Sequence, residues 1–491
     1  MANASFVGVT VNRWPPLDSM KLPGHEVDEV ETGLRANDFA GSAHQRVPEG
    51  PSAARTLPHR TMAVVAEACL ASSWPRPGSP GLGASVRPGP GEGPLRRGRS
   101  AGSGSTPGSA GAPSPVPSGK VALPVDRIGF GLIGAGRQAD RAHARAIVHS
   151  GLGTIEAVCD ADEALARRRA EQYGLPPERC FTRYQDLLEC SAVVAVTIGT
   201  PNHVHAPAAI AAATSGKHVF CEKPIAMDTE EALRMLEAVR RARVRHMTAF
   251  TYRFVPAMRY LRHVVAAGHL GTPRILRSRR LMDWPDESLG WRQIKSQAAS
   301  GDLGDMASHR VDYAQSMFGP VRAVQGLTRI FVPERRLPDG RMHAAEVDDW
   351  CAFIAEFDRG VVGVFESTKL ARGYGQGDHG TDDFEIHGAG GSAFYRLRDP
   401  HVLELGAAGG ILAPVEVPFE FRAPVGTGVP PLSAEPSLAF RENQMYEFID
   451  AVRTGRDCSP NFLDGARVVA VVDAVLRSAT ERRTVDVQRV D

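Results

Sequence analysis

The residues with chemistry to offer fall in four short stretches of the chain. The first, Gly134-Ala135-Gly136-Arg137-Gln138-Ala139, has G-x-G-x-x-A spacing after the apolar run Arg127 to Ile133. There a first glycine permits a tight turn, a second lets the backbone approach a pyrophosphate, and a small third residue lets helix pack closely on strand. The N-terminus of the helix then faces the phosphates. The next apolar run ends at Asp160, 24 residues after Gly136, where a carboxylate accepts hydrogen bonds from ribose hydroxyls. Asp162 and Glu163 follow and would repel a 2′-phosphate, so NAD is expected in preference to NADP. A purely structural glycine turn is the bland alternative.

The other three stretches carry polar groups suited to a hydroxyl substrate. Thr200-Pro201-Asn202-His203-Val204-His205 follows a β-branched run, at a strand end where open α/β sheets place ligands. Taken alone it also reads as a helix start with Asn202 as N-cap. Cys221-Glu222-Lys223-Pro224 follows another short apolar run, and Pro224 restricts the residue before it. Only six of the 57 basic residues are lysines: Lys21, Lys120, Lys217, Lys223, Lys295 and Lys369. A lysine can shift its pKa or act as a compact charge where an arginine does so poorly. In Gly301 to Asp312, Asp305 and His309 are four apart, which on an α-helix puts them on one face. A carboxylate beside an imidazole tunes it as a general base for an alcohol proton. An N-cap role for Asp305, or a partial metal site, is the competing reading; no further ligands stand near, and no metal is expected.

Positioning these groups requires a layered scaffold. Apolar runs at 127–133, 154–159, 192–198, 218–221 and 246–250 alternate with helical stretches at 161–173, 206–215 and from Asp228 onward. Strands alternating with helices of that length predict a parallel sheet. After Tyr252 come helices over 256–267 and 306–318, then strands over 347–357, 361–370, 384–387 and 392–396. Two closing helices follow, over 443–453 and 464–480. Such runs predict an α+β domain with a mostly antiparallel sheet.

Composition bounds the rest. With 57 basic against 56 acidic residues the formal net charge is +1, which excludes a general nucleic-acid binder. Seven scattered cysteines without a C-x-x-C pair exclude a disulfide framework and fit a reducing cytoplasm. No run reaches the length of a membrane-spanning helix. The stretch 60–74 carries Glu67 and lacks a cleavage site, and Arg96-Arg97 precedes no apolar region, so export is not expected. Residues 76–119 hold 12 Gly, 9 Pro and 8 Ser with no aromatic side chain. Residues 1–120 are therefore expected to be a disordered or low-complexity extension, or an overlong gene model. Length alone suggests about three domains; removing the extension leaves two.

In this order, the G-x-G-x-x-A turn, T-P-N-x-x-H, E-K-P and D-x-x-x-H resemble the glucose-fructose oxidoreductase, inositol dehydrogenase and rhizopine-catabolism (Gfo/Idh/MocA) family. The resemblance runs from about residue 125 to 485, including Tyr252-Arg253-Phe254 and Phe448 to Gly455. It implies a Rossmann domain (121–250) and a C-terminal α/β domain (251–491) that binds substrate and builds a homo-oligomer, a dimer or tetramer. It implies an NAD(P)-dependent dehydrogenase acting on a secondary hydroxyl of a sugar, polyol or inositol. Gly134, Gly136, Arg137, Gln138, Asp160, Thr200, Pro201, Asn202, His205 and Glu222 would line the cofactor. Lys223 would touch cofactor and substrate, His309 would be the base, Asp305 would sit beside it, and Arg253, Trp291 and Arg292 would line the substrate side. The chain departs from the family in Asp302 and Leu303, which interrupt a glycine-rich run, and in Ala307 at a glycine position. Two other readings of the scaffold stand: a redox-neutral NAD-dependent glycosidase or lyase, and an NAD-binding regulator without activity.

Overall fold

The computed structural model describes residues 127–284, 289–337, 339–376, 380–422 and 436–491. The expected extension over residues 1–120 lies outside them, as do His379 and the signal-like stretches. A six-stranded, all-parallel sheet comes first: β1 (Ile128–Ile133), β2 (Gly153–Cys159), β3 (Cys180–Phe181), β4 (Ala195–Ile198), β5 (His218–Cys221) and β6 (His246–Thr248). Its order is β3-β2-β1-β4-β5-β6. The order turns back on either side of β1, so the C-terminal ends of β1 and β4 flank the crevice where such sheets bind ligands. Every residue of β4 is buried, as a strand covered on both faces requires. The helix Thr229–Ala242 starts on Asp228, whose side chain accepts from Glu231 N, and stops at Arg243 in the left-handed region.

The second sheet has nine strands. They are β7 (Pro273–Leu281), β8 (Val321–Arg329), β11 (Trp350–Phe357), β12 (Val362–Thr368), β13 (Thr381–Gly388), β14 (Gly391–Arg396), β15 (Val402–Ala407), β16 (Ala413–Glu416) and β17 (Val485–Asp486). The separate hairpin β9 (Glu334–Arg336) and β10 (Met342–Ala344) stands outside it. The order is β16-β15-β14-β13-β7-β12-β11-β8-β17, and only the β7–β12 pair is parallel. The sheet is thus mostly antiparallel, as the sequence pattern predicts.

Central β7 escapes hydrophobic periodicity for a physical reason. Its buried side is Leu276, Ser278 and Arg280, while arginines alternate on the exposed side. Arg280 and Arg310 both meet Asp382 of β13 in the core, Arg310 through a hydrogen-bonded pair. A polar cluster replaces the apolar face that would mark the strand.

The two C-terminal helices, Pro436–Thr454 and Phe462–Glu481, reach back to the first sheet. The Phe448 ring packs 6.2 Å from Phe130 of β1 and 5.6 Å from Phe220 of β5. A Cβ on Gly465 would come within 2.7 Å of Thr248 Oγ1 and 2.8 Å of Ile225 Cδ1, so that close approach needs glycine. Asp473 accepts from Thr229 N and Oγ1 at 2.8 and 2.6 Å, fixing the second helix against the first sheet.

Asp382→Ala leaves two buried guanidiniums without their carboxylate. It should cost about 3–5 kcal/mol of stability, read by urea unfolding followed by circular dichroism.

Candidate active site

The glycine turn after β1 has the geometry its spacing predicts. Gly134 has φ +91, and a Cβ there would stand 2.9 Å from the Gly199 carbonyl and 3.0 Å from Thr200 N. Above Gly136 nothing lies within 4 Å of a built Cβ, so the backbone is open to a ligand. The helix that follows is π-wound over Ala139–Ala144 before Arg145–His149. Asp160 sits at the end of β2 and accepts from Ala135 N at 2.7 Å and Asp162 N at 3.0 Å. Its carboxylate thus holds the turn in place at the position expected for a ribose partner. Thr200 Oγ1 is buried at the same crevice and has no hydrogen-bond partner among the described residues. An open glycine cradle, an orphaned hydroxyl and a carboxylate at the strand end fit a dinucleotide.

Not every expected cofactor residue faces that crevice. His205 is buried between two carbonyls, its Nδ1 2.8 Å from Pro224 O and its Nε2 3.0 Å from Thr200 O. It clamps the T-P-N-x-x-H segment to the E-K-P turn, and burial pushes its pKa down. Buried Asn202 donates to Ala298 O at 3.0 Å and ties this edge to the segment before Asp302. Pro201 precedes the short turn Asn202–Val204, and Arg137 opens the helix that follows the glycine turn. Glu222 gathers Gln138 Nε2 at 2.8 Å, His143 Nε2 at 3.1 Å and Lys223 N at 3.2 Å. Burial alone would raise the Glu222 carboxyl, but His143, Lys223 and Gln138 bring it down to about 2.

Lys223 reaches across to the second substructure. Its Nζ donates to the main-chain oxygen of Asp305 at 2.6 Å and to Asp305 Oδ1 at 2.7 Å. The Lys223–Pro224 peptide is cis. Asp305 lies in a π-wound turn, Leu303–Ala307, before the α-helix Ser308–Phe318 that carries His309. This changes the expected pairing, because a π turn breaks the four-residue stacking of an α-helix. The carboxylate goes to Lys223, to Lys369 Nζ at 2.6 Å and to Arg292 Nε at 3.5 Å, with no hydrogen bond to His309. Burial by itself would raise the Asp305 carboxyl, but Lys223, Lys369 and Arg292 hold it well below the usual carboxylate range.

His309 is buried against aromatic rings, 4.6 Å from Tyr252 and 5.9 Å from Phe250 between centroids. Its Nδ1 is fully enclosed and has no hydrogen-bond partner among the described residues. Burial, then the charges of Lys223 and Arg310, push its pKa well below the ordinary histidine value, with Asp305 opposing them.

Of the expected substrate-side residues, Arg253 is placed differently. It is buried, with Nε 2.6 Å from Asp312 Oδ2 and Nη2 2.5 Å from Asp312 Oδ1 and 3.1 Å from Asp464 Oδ1. Its guanidinium fastens the His309 helix to the last helix and does not face the cleft. Arg292 lies with its guanidinium 4.3 Å over the Trp291 indole and its Nε 3.5 Å from Asp305 Oδ2.

Three residues of the site lie in none of the four sequence stretches or were passed over within them. Lys369 follows β12 and meets Asp305. Asp348 accepts from Gly301 N and Leu303 N, both at 2.8 Å, and so shapes the turn bearing Asp305. A Cβ on Gly301 would fall 1.7 Å from Asp348 O, which is why glycine stands there. Asp302 sits buried 3.7 Å from Lys369 Nζ. The rarity of lysine was the one signal that could have singled out Lys369.

A parallel dinucleotide-binding sheet joined to a mostly antiparallel sheet, with lysine, carboxylate and imidazole converging, defines an NAD-binding oxidoreductase acting on CH–OH groups. The comparisons agree. Residues 128–250 match the family model described as oxidoreductase family, NAD-binding Rossmann fold, and residues 258–394 match the GFO/IDH/MocA C-terminal domain. Levoglucosan dehydrogenase of Pseudarthrobacter phenanthrenivorans is 33% identical over 358 residues, 68% of this chain and 89% of that protein. Inositol 2-dehydrogenase of Rhizobium meliloti is 26% identical over 364 residues, 73% of this chain and 98% of that protein. A solved structure of levoglucosan dehydrogenase in complex with NADH superposes with TM-score 0.68 at 30% identity, over 74% of this chain and 100% of that one. The chain belongs to the Gfo/Idh/MocA oxidoreductase family, and its cofactor is NAD. No helix among the described residues is long and apolar enough to cross a membrane.

Asp160→Ala removes both the carboxylate at the strand end and the brace on Ala135 N. It should weaken NADH binding at least about tenfold, read by titrating nicotinamide fluorescence.

Proposed function

We propose that the protein oxidises a secondary hydroxyl of a sugar, polyol or cyclitol, with Lys223 and His309 handling the hydroxyl proton. The observation that carries this is the Lys223 ammonium, held by two hydrogen bonds to one residue, Asp305, beside an imidazole that stays neutral. An ammonium has three donors, and two are spent on Asp305. The third donates to the substrate oxygen and favours the charge that develops there as the proton leaves. His309 accepts that proton at a ring nitrogen. Asp305, the group that favours the charged imidazole, stabilises the cation formed. NAD, when bound, supplies the two-electron acceptor; Gly134, Gly136, Asp160 and Thr200 would hold it. Residues 121–250 act as the cofactor domain and 251–491 supply the substrate side.

The names of the relatives support the substrate class. The one most similar in sequence of the two compared oxidises an anhydrosugar by its name, and the other an inositol.

We propose also that the chain works as a homo-oligomer through the outer face of the large sheet. Ile275 pairs with Val362, and Val364 with Ile354, on adjacent strands, and all four are exposed together with Leu327. An apolar row of that extent is what a second copy would cover.

Lys223→Ala or His309→Ala should reduce NAD-linked turnover at least about a thousandfold and leave NADH binding measurable. The test is a panel of anhydrosugars, inositols, aldoses and sugar acids with NAD, followed by absorbance. Unchanged activity in both variants, or turnover without NADH release, overturns the reading. Since the His309 pKa is lowered, the base stays unprotonated through the range where a free histidine titrates. The acid limb of kcat/KM should therefore fall below about pH 6.5. Light scattering should give at least twice the 52.7 kDa chain mass, and Ile354→Lys with Val364→Glu should return the monomer.

A further inference from the structure

We infer that Lys369 and Asp302 form a positioning pair that fixes Asp305 and, through it, the Lys223 ammonium. The inference deepens the dehydrogenase reading above and rests on it for its kinetic consequences. Its structural half stands by itself.

A carboxylate on a short side chain turns easily, because its terminal torsion has a broad, two-fold profile. Held only by Lys223, the Asp305 carboxylate could rotate and take the ammonium with it. In the structure its two oxygens are divided: Oδ1 goes to Lys223 at 2.7 Å and Oδ2 to Lys369 at 2.6 Å. A second cation on the far oxygen sets the plane of the carboxylate and so the direction of the bond to Lys223. Arg292 also approaches Oδ2, at 3.5 Å, but it is 45% exposed and its attraction is screened by water.

Lys369 in turn is held from two sides. Its side chain is 13% exposed, its Nζ lies over the Trp284 ring at 5.2 Å, and Asp302 Oδ1 stands 3.7 Å away. Asp302 is enclosed, and neither carboxylate oxygen has a hydrogen bond among the described residues. Among the described residues Lys369 is the cation paired with it, with Ser367, Asp348 and Asp305 as further polar neighbours. Burial pushes the Asp302 carboxyl up to about 6, and Lys369 holds it down. Lys369 therefore offsets the desolvation of Asp302, and removing the lysine leaves that buried carboxylate uncompensated. The result is a row of alternating sign, Lys223, Asp305, Lys369 and Asp302.

The test compares Lys369→Met, Lys369→Arg, Asp302→Asn and the Lys369→Met/Asp302→Asn double variant in the full chain with NAD. On the substrate found in the panel, Lys369→Met should lower kcat about 10- to 100-fold while KM moves less than about threefold. Lys369→Arg should recover at least about a tenth of wild-type kcat. The acid limb belongs to His309, whose charged neighbours are Lys223, Arg310, Asp305 and Arg280. Losing the Lys369 cation leaves more of the Asp305 charge to favour the imidazolium, so the acid limb should move to higher pH in Lys369→Met. Thermal unfolding should be non-additive, with Asp302→Asn costing less in the Lys369→Met background than alone. A fourth readout needs no substrate: acetylation of Lys223, mapped by mass spectrometry, should slow at least about threefold in Lys369→Met, because losing the second ammonium leaves the Asp305 charge to Lys223 and holds its proton more tightly.

Wild-type kcat and an unmoved acid limb in Lys369→Met overturn the positioning role, and additive unfolding overturns the pair. If the wild-type chain turns over nothing in the panel, the substrate class fails. The unfolding cycle and Lys223 acetylation then still decide the inference. If Lys369→Met does not fold, Lys369→Arg and Asp302→Asn carry the same measurements.

Discussion

One half-buried carboxylate, Asp305, balances the charges of the cleft, and the surrounding structure is arranged so that it can. It meets Lys223 from the first sheet, Lys369 from the second and Arg292 from the rim. Two ammonium groups would not stay together in an enclosed site without an anion between them, since their mutual repulsion rises as water is excluded. Asp305 ionises well below its ordinary range because those cations outweigh its burial. Burial first, and then the nearby charges of Lys223 and Arg310, keep His309 neutral, with Asp305 opposing them.

Holding that carboxylate where it is takes three separate devices. Asp348 binds two amides of the turn and Gly301 leaves room for its backbone. The π-wound turn at Leu303–Ala307 aims Asp305 at the lysines instead of along the helix toward His309. Arg253, Asp312 and Asp464 lock the following helix to the C-terminal helix. None of these groups needs to touch a substrate, yet each fixes the distance between Lys223 and His309. The two substructures are joined through chemistry as well as packing: Asn202 of the first donates to Ala298 O of the second.

Local chemistry made much of this legible from the sequence. A G-x-G-x-x-A turn can be recognised because glycine alone tolerates φ +91 at Gly134, and because the strand before it and the carboxylate after it fall at fixed spacing. Asp160, Lys223 and His309 stand at strand ends or on a helix, where residue type and spacing speak for themselves. The parallel sheet follows from its alternation with helices, and β4 from its unbroken apolar run. Residues 1–120 gave compositional expectations alone.

What tertiary structure decided is where long-range partners meet. Sequence spacing put Asp305 with His309, but the fold gave the carboxylate to two lysines 82 and 64 residues away. Arg253 looked like a substrate residue, and burial turned it into a strut. Strand β7 was hidden because two of its three inward side chains, Ser278 and Arg280, are polar, and the charge of Arg280 is met by Asp382 from another strand. Local sequence determines conformation and the identity of the reactive groups. Charge pairing across 60 to 80 residues of chain has no local signature, because it depends on which surfaces the fold brings within about 4 Å of one another.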